Sequence, residues 1–180
     1  MAERSAYAVL RDLAAKSRQS ARGLPARQDT APRWSGIGFS ILGHKFVAPM
    51  SHVAELMEVP NSTRLPGVHS WVIGLSNVRG RLLPLFDLPL FFGGVISSGK
   101  KNHRVLVLET DVLYSGVVVD MAFGMQHFTS DSYGAFDEPL PGGLSGYIEG
   151  AYQDADGNPW PVFSMAKLAA DAKFNNAALL

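Results

Sequence analysis

From residue 35 onward, apolar residues recur at every second position in short runs. Before it they recur at helical spacing. Ile37, Phe39 and Ile41 alternate with Gly38 and Ser40, the period of a half-buried strand. A turn at Gly43-His44-Lys45 returns the chain along "FVAPM". The stretch "SHVAELME" (51–58) fits a helical turn or a strand. Trp71 to Val78 reads as a strand, Arg79-Gly80 as a turn, and Arg81 to Phe86 as the returning strand. Pro84 lies inside that last strand, which predicts an edge position or a bulge, because proline has no amide for a ladder. Residues 103–109 and 113–128 are β-rich and predict a hairpin around Thr110-Asp111. Residues 129–144 have the composition of a long loop. A last hairpin is expected from 145–154 and "PWPVFSM", turning at Asp156-Gly157-Asn158, and Ser164 is placed to cap a closing helix. Many short strands, frequent turn signals and one final helix predict an all-β barrel or a pair of barrels.

Residues 5–21 differ. Ala6, Val9, Leu10, Leu13 and Ala14 fall on one side of a helix, and Arg4, Arg11, Arg18 and Arg22 on a neighbouring stripe. "GLPARQDTAPRW" follows as a polar, breaker-rich linker. Charge separates the same two regions. Residues 1–33 carry seven basic residues against three acidic ones, a net +4, and the remainder carries nine against thirteen, a net −4. The whole chain is neutral, so a global field for nucleic acid is absent. The 18 glycines and 11 prolines among 180 residues suit turns and short strands. There is no cysteine, which excludes disulfides and thiolate metal sites. The N-terminus has no apolar signal segment, and no apolar run approaches the ~18 residues of a membrane span. A cytoplasmic protein is the expectation.

Catalytic signatures fail one by one. The phosphate-loop pattern is missing, and Gly36 and Gly38 are followed by Ile41 where a dinucleotide fingerprint needs glycine. Gly74-Leu75-Ser76-Asn77-Val78 lacks the closing glycine of a nucleophile elbow. No two of the five histidines fall at i, i+4. "DADGN" (154–158) begins like a calcium loop but has Pro159 where glycine is needed and Met165 where the bidentate glutamate belongs, so it reads as a hairpin turn. Asp137-Glu138 read as solvated loop charge. The expectation is a non-enzyme with no catalytic residue, cofactor or metal.

The segment "LPGVHSWVIGLSNVRGRLLPLFDL" (65–88) resembles the hallmark of the CheW-like coupling proteins of bacterial chemosensory systems. Pro66-Gly67, Gly74, Asn77, Arg79-Gly80, Pro84 and Asp87-Leu88 match that pattern in order and spacing. "FSILGHKFVAPMSHVAEL" resembles the family's first hairpin and a Val-x-Glu element at Val53 and Glu55. "RVLVLE", "GVVVDMAFGM" and "GYIEGAYQDADGNPWPVFSMAKL" resemble its later elements. The N-terminal segment, with "WSGIGF" and "VAPM", is similar to the coupling proteins of type IV pilus, or twitching-motility, systems.

The resemblance implies two small, intertwined five-stranded β-barrels, a short C-terminal helix and a helical N-terminal tail. It divides the chain into a basic helical tail and linker (1–34), a CheW-like domain (35–170) and a C-terminal tail (171–180). It implies a non-catalytic adaptor that links a chemoreceptor's cytoplasmic tip to the regulatory domain of a CheA-like histidine kinase. Such a protein would work in receptor arrays at the inner membrane through its partners, with no membrane insertion and no nucleic acid. Arg79 matches an arginine of the family's partner-binding surface, near the glutamate matching Glu55. Val53 and Leu56 are apolar candidates for the kinase contact, although either could equally belong to the core. Arg81 reads as a solvated turn charge, and Asp87 as a turn-fixing or capping residue. The rival from another class is an oligonucleotide-binding β-barrel with a basic tail, which the acidic domain disfavours.

Overall fold

The computed structural model describes residues 6–20, 33–95, 99–110 and 113–179. The chain divides into two compact units, Met1–Ala31 and Pro32–Leu180. In the first, the helical spacing produces α1 (Ala6–Ser20), as expected. Its turns carry an Asp12–Lys16 pair at 3.2 Å, and Tyr7, Val9, Leu10 and Leu13 are exposed. Most of the linker lies outside the described residues, but its last two, Arg33 and Trp34, already belong to the first strand, because Trp34 packs on the aromatic cluster of the first sheet.

Among the described residues, the second unit contains ten strands in two sheets. They are β1 (Arg33–Ile41), β2 (His44–Pro49), β3 (Val53–Glu58), β4 (Val72–Val78), β5 (Arg81–Asp87), β6 (Arg104–Glu109), β7 (Tyr114–Val119), β8 (Met121–Thr129), β9 (Ile148–Gln153) and β10 (Pro159–Phe163). One sheet has the order β8-β1-β2-β10-β9 and the other β3-β6-β7-β5-β4. The chain leaves the first sheet after β2, builds the whole of the second, and returns at β8. That exchange is the expected intertwining.

The sheets do not close into complete barrels. In each, the two end strands are joined by no ladder. The segment connecting them instead contributes one bridge. Thr63 pairs with Leu75 of β4, and Gly134 pairs with Ala151 of β9. These segments are rich in proline and glycine, so they satisfy one pair of amides and leave the sheet. At the first bridge a glycine is required. A Cβ on Gly74 would lie 2.1 Å from the Thr63 carbonyl oxygen, and the residue has φ +143°.

Three apolar clusters follow from strands whose two faces are both covered. Phe128, Tyr152, Trp160, Val162 and Val47 fill the inside of the first sheet, with Trp34 packed on them. Val78, Leu83, Leu85, Val105, Val107 and Val118 fill the second. The largest cluster lies between the sheets and draws on both, including Phe39, Ile41 and Phe46 from one and Phe86, Leu106 and Val117 from the other.

Several local expectations are adjusted. The first turn is Leu42-Gly43, one residue earlier than the pattern suggested, because Leu42 packs against the central cluster and tolerates φ +52°. Residues 50–52 form one 3₁₀ turn before β3, so the ambiguous stretch is both helix and strand. The β-rich run 113–128 splits at buried Asp120 into strands of different sheets. Pro84 is not on an edge strand: β5 lies between β7 and β4. Its ladder to β7 begins only at Leu85, so the missing amide falls just outside that pairing.

The closing helix, α3 (Met165–Ala170), is capped by Ser164, whose Oγ accepts from the Lys167 amide. A further turn, α4 (Ala172–Asn175), follows, capped by Asp171. Residues 171–179, set apart by sequence as a tail, pack on the domain. Phe174 is buried against Trp71, Phe86 and Phe91, and Val68 bridges Ala178. Tyr147 donates to Asp171 at 2.5 Å, which holds that carboxyl below its ordinary value.

Candidate functional site

The β4–β5 hairpin carries the site. Alternate residues Leu83 and Leu85 point into the second core, which anchors the strand and leaves its turn projecting. The turn has two central residues, Arg79 with φ +54° and Gly80 with φ +81°. Two positive values are what a two-residue type I′ hairpin requires, and asparagine-glycine is the usual occupant. Glycine meets the condition freely; arginine does so at a cost of order 1 kcal/mol. The Asn77 carboxamide accepts from the Gly80 amide at 2.9 Å and braces the turn.

Arg79 reaches across to β3. Its Nη2 donates to Glu55 Oε1 at 2.7 Å, with side-chain exposures of 79% and 29%. Glu55 is presented by a β-bulge. Val53 pairs with Leu108 and Glu55 with Val107, so Ala54 is the extra residue. A bulge of this kind re-aims the side chains that follow it.

Sequence reasoning grouped Val53, Glu55, Leu56 and Arg79. The structure brings Glu55 and Arg79 together and divides the other two from them. Val53 packs on the central cluster. Leu56 pairs with Leu106, a member of that cluster, and at the rim of this edge strand is 37% exposed.

A second pair stands beside the first. Arg81 Nη1 donates to Glu109 Oε1 at 2.9 Å, and its guanidinium carbon lies 3.8 Å from the centre of the Tyr114 ring. Arg81 is therefore more than a solvated charge. Glu109 and Tyr114 are opposite residues closing the β6–β7 hairpin, and their approach to Arg81 comes from sheet order, which no local pattern announces. The two ion pairs border a groove of about 190 Å³ at the mouth of the second core.

Asp87 takes the expected capping role. Its Oδ1 accepts from the Leu90 amide at 2.8 Å and starts the short helix α2 (Leu88–Phe91). Burial pushes its carboxyl above its ordinary value, against the pull of that amide. Gly67 turns the chain with φ +67°, and its carbonyl accepts from the Leu179 amide. No helix among the described residues is long and apolar enough to cross a membrane.

Comparison with known proteins supplies the remaining observations. The CheW-like domain profile matches residues 35–173. Protein PilI of Pseudomonas aeruginosa is 43% identical over 173 residues, covering 96% of each chain. Chemotaxis protein CheW of Helicobacter pylori is 28% identical over 111 residues, 62% of this chain and 67% of that one. Among solved structures, the scaffolding protein TtCheW from Thermoanaerobacter tengcongensis superposes with a TM-score of 0.67 at 17% identity, covering 81% of this chain and 97% of its own. That last likeness is one of fold.

Proposed function

The chain belongs to the CheW-like domain family, and from that premise we propose that it is a non-catalytic adaptor joining a chemoreceptor's cytoplasmic tip to the regulatory domain of a CheA-like histidine kinase. The similarity to PilI along nearly the full chain supports a pathway that controls type IV pilus twitching motility. The adaptor would act by assembly, holding the kinase beside receptors at the inner membrane without inserting into it.

The observation that carries this reading is Arg79. It holds a left-handed backbone conformation, projects from a hairpin tip and pairs with a half-buried glutamate. So exposed a pair contributes only about 0–1 kcal/mol to stability. Its use lies in orientation, because Glu55 fixes one edge of a planar fork and leaves the other directed outward for paired hydrogen bonds. Leu56, exposed on the same strand as Glu55, would add an apolar contact to the kinase, whereas Val53 packs on the central cluster.

Calorimetric titration of the full chain against the regulatory domain of the CheA-like kinase of the same organism tests the proposal. Saturable binding in the micromolar range is expected. Arg79→Glu is expected to keep the native circular dichroism and melting transition and to bind at least tenfold more weakly. A folded wild-type sample that gives no heat at several temperatures would sink the adaptor reading. Normal binding by Arg79→Glu would remove Arg79 from the contact.

A further inference from the structure

We propose that the groove between the two arginine–glutamate pairs is a receptor for one aromatic side chain of the kinase regulatory domain, presented next to a carboxylate. The inference rests on the adaptor reading above and names the chemistry that the site selects.

Three observations carry it. The first is size and lining. The groove holds about 190 Å³, and Ala54, Val78, Val107 and Tyr114 form its apolar part. An apolar cavity of about 150 Å³ is enough to take up benzene, so one aromatic ring fits and a helix or a nucleotide does not. Val78 and Val107 belong to the second core, so the floor is fixed by packing that exists before any partner arrives.

The second is charge. Arg79 and Arg81 are both exposed on the rim, and each gives a single short hydrogen bond to its glutamate. A guanidinium has five N–H donors in a fixed fork. The outward donors of two neighbouring forks call for acceptors, and a carboxylate fits them in geometry as well as in sign. Glu55 and Glu109 line the same groove and would repel that carboxylate anywhere but on the guanidinium side of each pair. They thereby set the direction of approach.

The third is the stack of Arg81 on Tyr114 at 3.8 Å. It presents a flat wall of guanidinium and phenol, against which an incoming ring can lie edge-on or in offset contact. Lysine would retain the charge and lose this wall. Arg81 is thus a specificity element that local sequence left as turn charge.

The test uses the full chain and the purified regulatory domain. Ala54 is exposed on the bulge, so Ala54→Phe can fill the groove without disturbing the core. It is expected to bind the domain at least tenfold more weakly, with an unchanged melting transition. Arg81→Lys is expected to lose at least threefold, and it decides the question if Ala54→Phe fails to fold. Replacing each exposed aromatic of the regulatory domain by alanine is expected to yield one variant whose loss does not add to that of Ala54→Phe, the signature of a shared contact. Wild-type binding by both Ala54→Phe and Arg81→Lys, with Arg79→Glu still defective, overturns the groove and leaves the adaptor standing. Loss in both with no aromatic variant coupled to Ala54 overturns the aromatic occupant. Absence of any binding by the wild type removes both readings together.

Discussion

Two hairpins of this domain make the same unusual choice at their turns and use it differently. Leu42-Gly43 joins β1 to β2, and Arg79-Gly80 joins β4 to β5. In each, a residue other than glycine holds a left-handed φ, +52° for Leu42 and +54° for Arg79. Leu42 is compensated by its surroundings. Its side chain packs on the central cluster and so tightly against Gly94 that a Cβ there would meet it at 2.2 Å. Buried Asp120 accepts from the Gly43 amide at 3.1 Å and ties the turn to the strand junction. Arg79 has no comparable packing. It is exposed, and its one ion pair lies in a medium that weakens it. The first turn is strained for the sake of the fold. The second is strained where the fold gains little, which is what the proposed contact surface calls for.

Substitution by asparagine, the residue best suited to this conformation after glycine, should separate the two. Leu42→Asn relieves the backbone but forfeits a half-buried leucine and places a carboxamide against the core. A net loss of about 2 kcal/mol is expected, read as a lower midpoint in urea. A midpoint equal to or above wild type would mean that packing does not hold this turn. Arg79→Asn should do the opposite, raising stability by roughly 0.5 kcal/mol while weakening the kinase domain at least fivefold. If that variant were less stable than wild type, the Glu55 pair would be a structural brace and the contrast between the hairpins would collapse.

A third hairpin gives a control whose turn chemistry titrates. Between β9 and β10, Asp154 accepts from the amides of Asp156 and Asn158 and from the indole N–H of Trp160. Burial raises its carboxyl, but these donors lower it more, so the net position is below its ordinary value. A carboxylate whose folded value is depressed contributes stability fully above its unfolded value. It loses that contribution as the pH falls through the folded one. The Trp160 indole resonance should therefore stay put down to about pH 4 and shift only below it, with kinase binding unaffected above. Movement of the indole signal at higher pH would exclude Asp154 as its anchor.

The legibility of these features differs with their physical range. The β4–β5 strands, the Arg79-Gly80 turn, the Ser164 cap and the capping by Asp87 each depend on residues within a few positions of one another. All were read from the chain. The proximity of Glu55 to Arg79 came from family resemblance, since 24 residues separate them. Glu109 and Tyr114 were missed as neighbours of Arg81, and so was the bulge at Ala54. Each depends on which strands lie side by side and in what register, and alternation along one strand carries no such information.

Alternating apolar residues and turn glycines by themselves determined that this chain would be a β protein of short hairpins with a basic helix ahead of it. These are consequences of backbone sterics and local burial. The family pattern determined which hairpin to watch. Tertiary structure decided the rest: that the sheets are bridged at their edges and not closed, that Phe174 completes the core from beyond the expected domain end, and that two ion pairs face each other across a groove. Those outcomes are settled by sheet order and register, and by the competition of large side chains for the same interior space. No residue specifies them alone.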